Sequence, residues 1–295
     1  MLLLPTSREA AEAGRRTRGN QGADGIVIFL DDRVRLGWVM TSFSKKSFLA
    51  SVLAFSVLAA SACAAEPARL PDTEVTQWKD ASGRKYVAWL IDPTTRYGHG
   101  VLGDAIEAGG FAMKLPSGKL EIYRLGRDAV FEDRRVRLAD LDGDGQPEAV
   151  IIKSYLKRGA AVALYRLRKG RIDPLTEGPV IGRANRWLNI AGIADFDGDG
   201  KLDIAYVQTP HLAGIVRVFT LDTNTLREIG QRRGYTNHVT GSRDLDLAQV
   251  LSSGSQCCAR LLVPVIGQNA KAILGFRSGK FVELGRQQGR RPKSN

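Results

Sequence analysis

Short apolar runs separated by polar, glycine-rich breaks dominate the chain from about residue 75 onward. The runs "EAVIIKS", beginning at Glu148, and "LDIAYVQT", beginning at Leu202, are rich in β-branched and aromatic residues over the length of a strand. "AAVALYRL", Ala160 to Leu167, and "IVRVFTL", Ile215 to Leu221, read the same way, and each is followed by a polar turn. No helical spacing competes with these runs, so the pattern predicts an all-β chain.

The pattern also repeats. "ADLDGDGQPEAVII", Ala139 to Ile152, and "ADFDGDGKLDIAYV", Ala194 to Val207, lie 55 residues apart, and the same offset lays Ala160–Leu167 onto Ile215–Leu221. A period of this length holds several strands. Lys85 to Leu125 has the same strand-turn-strand cadence without an acidic loop. The segment from Arg243 to Leu284 keeps Asp244 and Asp246 but has Ala248 where a third Asp is expected, which predicts a unit that holds no ion. Four units of roughly 50 residues, each of about four short strands, then run from Val75 to Leu284.

Composition is that of a globular chain, with 43% hydrophobic and 25% charged residues. Its balance is basic, with 43 Lys and Arg against 31 Asp and Glu and a formal net charge of +12. Against that background the acidic loops stand out. The first places Asp140, Asp142, Asp144 and Glu148 at positions 1, 3, 5 and 9, with Gln146 at position 7. The second places Asp195, Asp197, Asp199 and Asp203 in the same order, with Lys201 at position 7. Alternate carboxylates on a curled loop point toward one centre, which suits a hard dication needing six to eight oxygens. Gly143, Gly145, Gly198 and Gly200 allow the positive φ that such curling requires. Position 7 serves through its backbone carbonyl, because the Lys201 ammonium cannot be a ligand. The helix-loop-helix calcium site closes with an acid at position 12, whereas Ile151 and Tyr206 stand there and a strand follows each loop.

Asp-x-Asp-x-Asp-Gly-x-x-Asp/Glu ahead of a buried strand resembles the FG-GAP or VCBS repeat, the unit of the integrin-α-type β-propeller. The resemblance implies a structural calcium ion in each loop, two in all, held between strands of a blade. It also implies a β-propeller. That family has seven blades, and this chain has sequence for four or five, with an open stack of sheets as the other arrangement.

The remaining sequence bears on location and partners. Met40 opens an export signal made of Lys45 and Lys46, the apolar run Phe48 to Ala62, then small residues. That run is about 15 residues, short of the roughly 20 that a membrane span needs. The expected organisation is an upstream extension at 1–39, a cleaved signal at 40–64, a linker at 65–74, the repeat domain at 75–285 and a basic disordered tail at 286–295. The mature chain is then exported to the periplasm or secreted, or anchored by a lipid on Cys63, which follows small residues. Cys257 and Cys258 are adjacent and form either a strained local bridge or two thiols.

Three histidines, His99, His211 and His238, lie in turn-like settings. Together with Asp104 they would suit a transition metal or general acid–base chemistry if their loops converge, and otherwise they are separate loop residues. No nucleophile elbow, phosphate-binding glycine loop or zinc-helix pattern is present. Trp187 either packs within a blade or faces a sugar or lipid. The sequence favours a non-catalytic binding or scaffold module for a protein or an anionic envelope polymer, matching the basic surface. Nucleic acid is disfavoured, because the basic tail lacks interleaved aromatics. The alternative is a hydrolase or lyase at the channel mouth using His99, His211 and His238.

Overall fold

The computed structural model describes residues 66–252 and 258–289. The expected upstream extension and export signal, Cys63, Cys257 and residues 290–295 lie outside them. Cys258 is disulfide-bonded, to a partner outside the described residues. Among the described residues all regular structure is strand, and no helix is long and apolar enough to cross a membrane.

Strands β1 (Thr76–Lys79), β2 (Lys85–Thr94), β3 (Glu107–Lys114) and β4 (Leu120–Arg124) pair in chain order as an antiparallel meander. After the short β5 (Ala129–Phe131), the strands β6 (Arg137–Ala139), β7 (Glu148–Tyr155), β8 (Gly159–Arg168) and β9 (Arg171–Glu177) form a second. β5 pairs with both β3 and β7 and so joins these two meanders into one nine-stranded sheet. A third meander contains β10 (Leu188–Ala194), β11 (Asp203–Gln208), β12 (Ile215–Asp222) and β13 (Thr225–Arg233). The fourth contains β14 (Gln249–Leu251), β15 (Arg260–Pro264), β16 (Ala270–Arg277) and β17 (Lys280–Gln288). The four-strand content of each expected unit is thus present.

Strand side chains alternate between faces, and here both faces of the middle meanders are buried. On β7, Ala149 and Ile151 pack with Leu90, Phe111 and Met113 of the first meander, while Val150 and Ile152 pack with Leu188, Ile190 and Tyr206 of the third. On β11, Ile204 and Tyr206 face the second meander, and Ala205 and Val207 face Val263 and Leu274 of the fourth. Burial on both sides explains why these strands read as nearly continuous apolar runs. Each fully buried Val, Leu, Ile or Phe contributes roughly 1.5–3 kcal/mol, so the stack is held mainly through these inter-sheet cores.

Successive meanders also meet at their last strands, β4 against β9, β9 against β13 and β13 against β17. β1 lies against β6, and β10 against β14. The strand pairing does not close into a barrel, and among the described residues no apolar cluster joins the first meander to the fourth. What links them is a connector whose Leu245 is buried in one core with Val101 and Leu102, together with polar contacts. The connector from Gly234 to Ala248 returns to the first meander, where Gly241 N–H donates to Val101 O at 2.9 Å. On the same connector Arg243 pairs with Asp72 and with Asp104, the latter at 2.7 Å, while Asp246 pairs with Arg135.

Three sequence expectations shift. Asp244 and Asp246 are not a worn acidic loop, because they precede β14, whereas the acidic loops follow the first strand of their meanders. The matching position in the fourth meander begins at Ser252 and reaches Arg260, where the other loops carry an acid. The expected linker is partly built in. Leu70 is buried, its N–H donates to Leu90 O at 3.0 Å, and Arg69 bridges to Ile91. β17 runs on to Gln288, inside the expected tail, because Ala270 to Ala272 supply backbone partners that its polar side chains do not announce.

Gly159, the first residue of β8, has φ +78°, and a Cβ there would meet Arg183 O and would lie 2.9 Å from Arg186 O. Gly159→Ala is expected to lower stability by about 2–3 kcal/mol, read as an earlier urea midpoint. An unchanged midpoint would show that the segment around Arg183 is not held as described.

Candidate functional site

The acidic loops join the first and second strands of their meanders, β6 to β7 and β10 to β11. Each is tethered by the apolar residue at its second position. Leu141 and Phe196 are buried in inter-sheet cores, which fixes the carboxylates on either side of them. The curl is then built from the loop's own N–H groups. Asp140 accepts from Gly143 at 2.8 Å and Gly145 at 3.0 Å, and Asp195 accepts from Gly198 at 2.6 Å and Gly200 at 3.0 Å. At the ninth position Glu148 Oε2 accepts Leu141 N–H at 2.8 Å, and Asp203 Oδ2 accepts Phe196 N–H at 3.0 Å. The two loops agree in each of these backbone bonds.

This curl brings together Asp140, Asp142 and Glu148 in one loop, and Asp195, Asp197 and Asp203 in the other, each trio offering ligand oxygens within 4.8 Å of one another. These groups can hold a metal ion. Asp144 and Asp199 stand outside the trios, where Oδ1 of each accepts the N–H of Gln146 or Lys201 at 2.7 and 2.8 Å. The Gln146 side chain donates to Asp144 Oδ2 at 3.3 Å, and Lys201 is exposed.

The test of fit lies at the ninth position. Asp203 has no exposed surface, and its Oδ1 is buried without a well-formed hydrogen bond, the Thr220 hydroxyl only partly steadying the carboxylate. A buried carboxylate oxygen left bare costs its full desolvation, and a cation would offset that cost. Burial, aided by Asp197 and Asp199, pushes the Asp203 carboxyl up to about 6. Burial, aided by the three aspartates of its loop, pushes Glu148 up to about 7. A bound dication would invert that balance and hold both ionised.

The first meander solves the same turn without a dication. Between β1 and β2, Asp80 accepts the N–H groups of Ser82 and Arg84, both at 2.9 Å, and pairs with the Arg84 guanidinium.

At the opposite ends of the strands, where β2 turns to β3 and β11 to β12, the histidines gather. His99, Asn185, Arg186, Trp187, His211 and Thr240 are among the residues lining a cavity of about 220 Å³. His99 Nδ1 lies 2.6 Å from Oε1 of the fully buried Glu132, which also accepts from Ser154. His238 Nε2–H donates to Ser242 O at 2.8 Å, which leaves its Nδ1 to accept from His211 Nε2–H at 2.9 Å. Burial pushes His238 down to about 4, so it is neutral at ordinary pH. Trp187 is buried, with its indole N–H on Glu132 O at 3.0 Å and His238 edge-on at 4.7 Å. Packing and a cavity wall are therefore both roles of Trp187. Asp104 does not join the histidines. It lines a separate cavity of about 290 Å³ with Arg243 and Glu107, whose carboxyl burial and neighbouring Glu132 push up to about 10. Among the described residues the histidines form no metal-ligating group.

Sequence spacing pointed to the loops because their ligands are local. It missed Glu132, Ser154, Asn185 and Arg186, which come from separate turns and carry no spacing signal.

Residues 140–206 match the family described as the FG-GAP-like repeat, a span from the first Asp of one loop into the strand after the other. No curated protein matches the sequence. Among solved structures, the exotype rhamnogalacturonan lyase YesX is 13% identical with a TM-score of 0.46, over 68% of this chain and 41% of that one. The rhamnogalacturonan lyase YesW is 11% identical with a TM-score of 0.43, over 68% and 40%. A rhamnogalacturonan lyase of Bacillus licheniformis is 13% identical with a TM-score of 0.43, over 68% and 43%. The chain thus spans about two-fifths of the length of these structures, and likeness at this level carries no information on activity.

Raised folded pKa values make the metal-free protein lose stability as pH rises through the window from the unfolded values, 3.8 for Asp203 and 4.5 for Glu148, to about 6 and about 7. The melting temperature with chelator is therefore expected to fall, relative to that with a saturating dication, between pH 5 and about 8. A gap constant over that range would contradict the coupling. Asp203→Asn removes the buried charge but keeps an acceptor for Phe196 N–H. It is expected to melt a few degrees higher than the parent in chelator and to lose about half of the dication-induced gain. A variant that melts lower than the parent in chelator would oppose this account.

Proposed function

We propose, from the FG-GAP-like match over residues 140–206 and the twin acidic loops, that this protein is an exported, calcium-braced β-propeller serving as a binding scaffold. The observation that carries the reading is the buried Asp203 carboxylate, its Oδ1 without a well-formed hydrogen bond, inside a trio whose backbone hydrogen bonds the other loop repeats. Calcium is the ion because all donors are hard oxygens on a flexible loop, the donor set of calcium rather than of a softer metal. The four meanders act as blades, since successive ones meet face to face and at their last strands. Between first and last blades the closure is made by Arg243 with Asp72 and Asp104 and by Leu245, buried in one core with Val101 and Leu102.

The scaffold's work lies at the end opposite the ions. Meander topology puts the ion loops at one end of the strands, leaving the cavity loops free to engage a protein or an anionic envelope polymer without disturbing the brace. A hydrolase or lyase reading draws on one observation, the meeting of His99 and His211 at one cavity with His238 hydrogen-bonded to His211. Its signature would be a turnover abolished by His99→Ala with the melting curve unchanged.

Calorimetric titration of calcium into chelator-stripped protein tests the leading reading. Two sites and a rise in melting temperature are expected, and Asp142→Ala and Asp197→Ala should each remove one site. No heat and no shift would overturn it.

A further inference from the structure

We propose that the cavity walled by Trp187 and His211 seats one carboxylated sugar residue of an acidic polysaccharide. The inference rests on the binding-scaffold reading and names the ligand class and the residues that meet it.

Charge selects the ligand first. No carboxylate lines the cavity, because Glu132 lies behind His99 with no exposed side-chain surface. Arg186 does line it, and among the described residues its guanidinium is hydrogen-bonded only to the carbonyl of its own neighbour Asn185, at 3.0 Å. A planar fork with donors to spare suits a carboxylate. A cationic ligand would find no carboxylate here.

The histidines select hydroxyl groups. His211 donates its Nε2–H to His238, so its Nδ1 is left as an acceptor. With His99 Nδ1 directed at Glu132, its Nε2 donates or accepts according to the tautomer. Thr209, Thr240 and Asn185 add groups that donate and accept. A simple anion has no hydroxyls to offer those ring nitrogens, whereas a uronic acid carries both kinds of group. Pro210, Leu212 and Trp187 provide apolar wall for the C–H face of a sugar, and Leu212 is 59% exposed at the rim.

Size and backbone strain support the same reading. At about 220 Å³ the space falls below the roughly 300–1,000 Å³ of pockets that enclose drug-sized ligands, so it holds one ring while the polymer continues outside. Two lining residues that are not glycine have positive φ, Asn185 at 54° and Thr209 at 47°. For β-branched Thr209 that conformation is strained, and such residues concentrate where a ligand is met. They are held by Tyr97 OH, which accepts Asn185 N–H at 3.2 Å, and by Trp187 O, which accepts Thr209 N–H at 2.9 Å.

The test titrates the full protein, in calcium, with oligosaccharides of glucuronate, galacturonate and mannuronate and with neutral counterparts of equal length, following heat and tryptophan fluorescence. At least one acidic series should bind at least tenfold more tightly than its neutral counterpart. Arg186→Ala should weaken that binding tenfold or more, whereas the charge-matched control Arg233→Ala, on β13, should change it less than twofold. Arg186→Ala should keep both calcium sites and the parental melting temperature. Absence of binding by every acidic series, equal binding of neutral sugars, or equal loss in both arginine variants would overturn the inference while calcium uptake leaves the scaffold reading standing. Absence of calcium uptake would overturn the scaffold reading whichever saccharides bind.

Discussion

A carboxylate buried at a strand start is the constraint around which the rest of this structure is arranged. Asp203 opens β11 and Glu148 opens β7, and both strands lie between two apolar sheets. Neither acid can swing out to water without dragging its strand, because the backbone N–H of Phe196 or Leu141 is tied to it. Burial and neighbouring aspartates work against the charge, so the fold either keeps protons on these groups or supplies a cation. The first meander shows the second solution in miniature, with Arg84 as the cation at Asp80.

From that constraint follows a division between the two ends of the strands. Local aspartates and glycines dominate one end, and their geometry is fixed within a few residues of chain. The other end collects residues from four separate turns, among them His99, Arg186, His211 and Thr240. Their positions depend on the sheets being stacked correctly, which the inter-sheet cores secure. Trp187 ties these levels together, belonging to the core between the second and third meanders while forming part of the cavity wall.

The acidic loops and the all-β meanders were legible in the sequence because their signals are short-ranged: alternate Asp, intervening Gly, and β-branched runs. Tertiary features were not. Asp244 and Asp246 share the Asp-x-Asp spacing but not its place in the strand order, and their partners include Arg135, far away in sequence. The polar end of β17, Arg286 to Gln288, offered no apolar period to read, yet its backbone found partners in Ala270 to Ala272. Glu132 is silent in sequence because its role depends on His99 and Ser154 approaching from other turns.

The most direct measurement is anomalous diffraction from crystals grown with calcium. The account predicts two anomalous peaks, one within about 2.3–2.6 Å of carboxylate oxygens of Asp142 and Glu148, the other placed likewise at Asp197 and Asp203. Well-ordered loops with no peak at either position would contradict it.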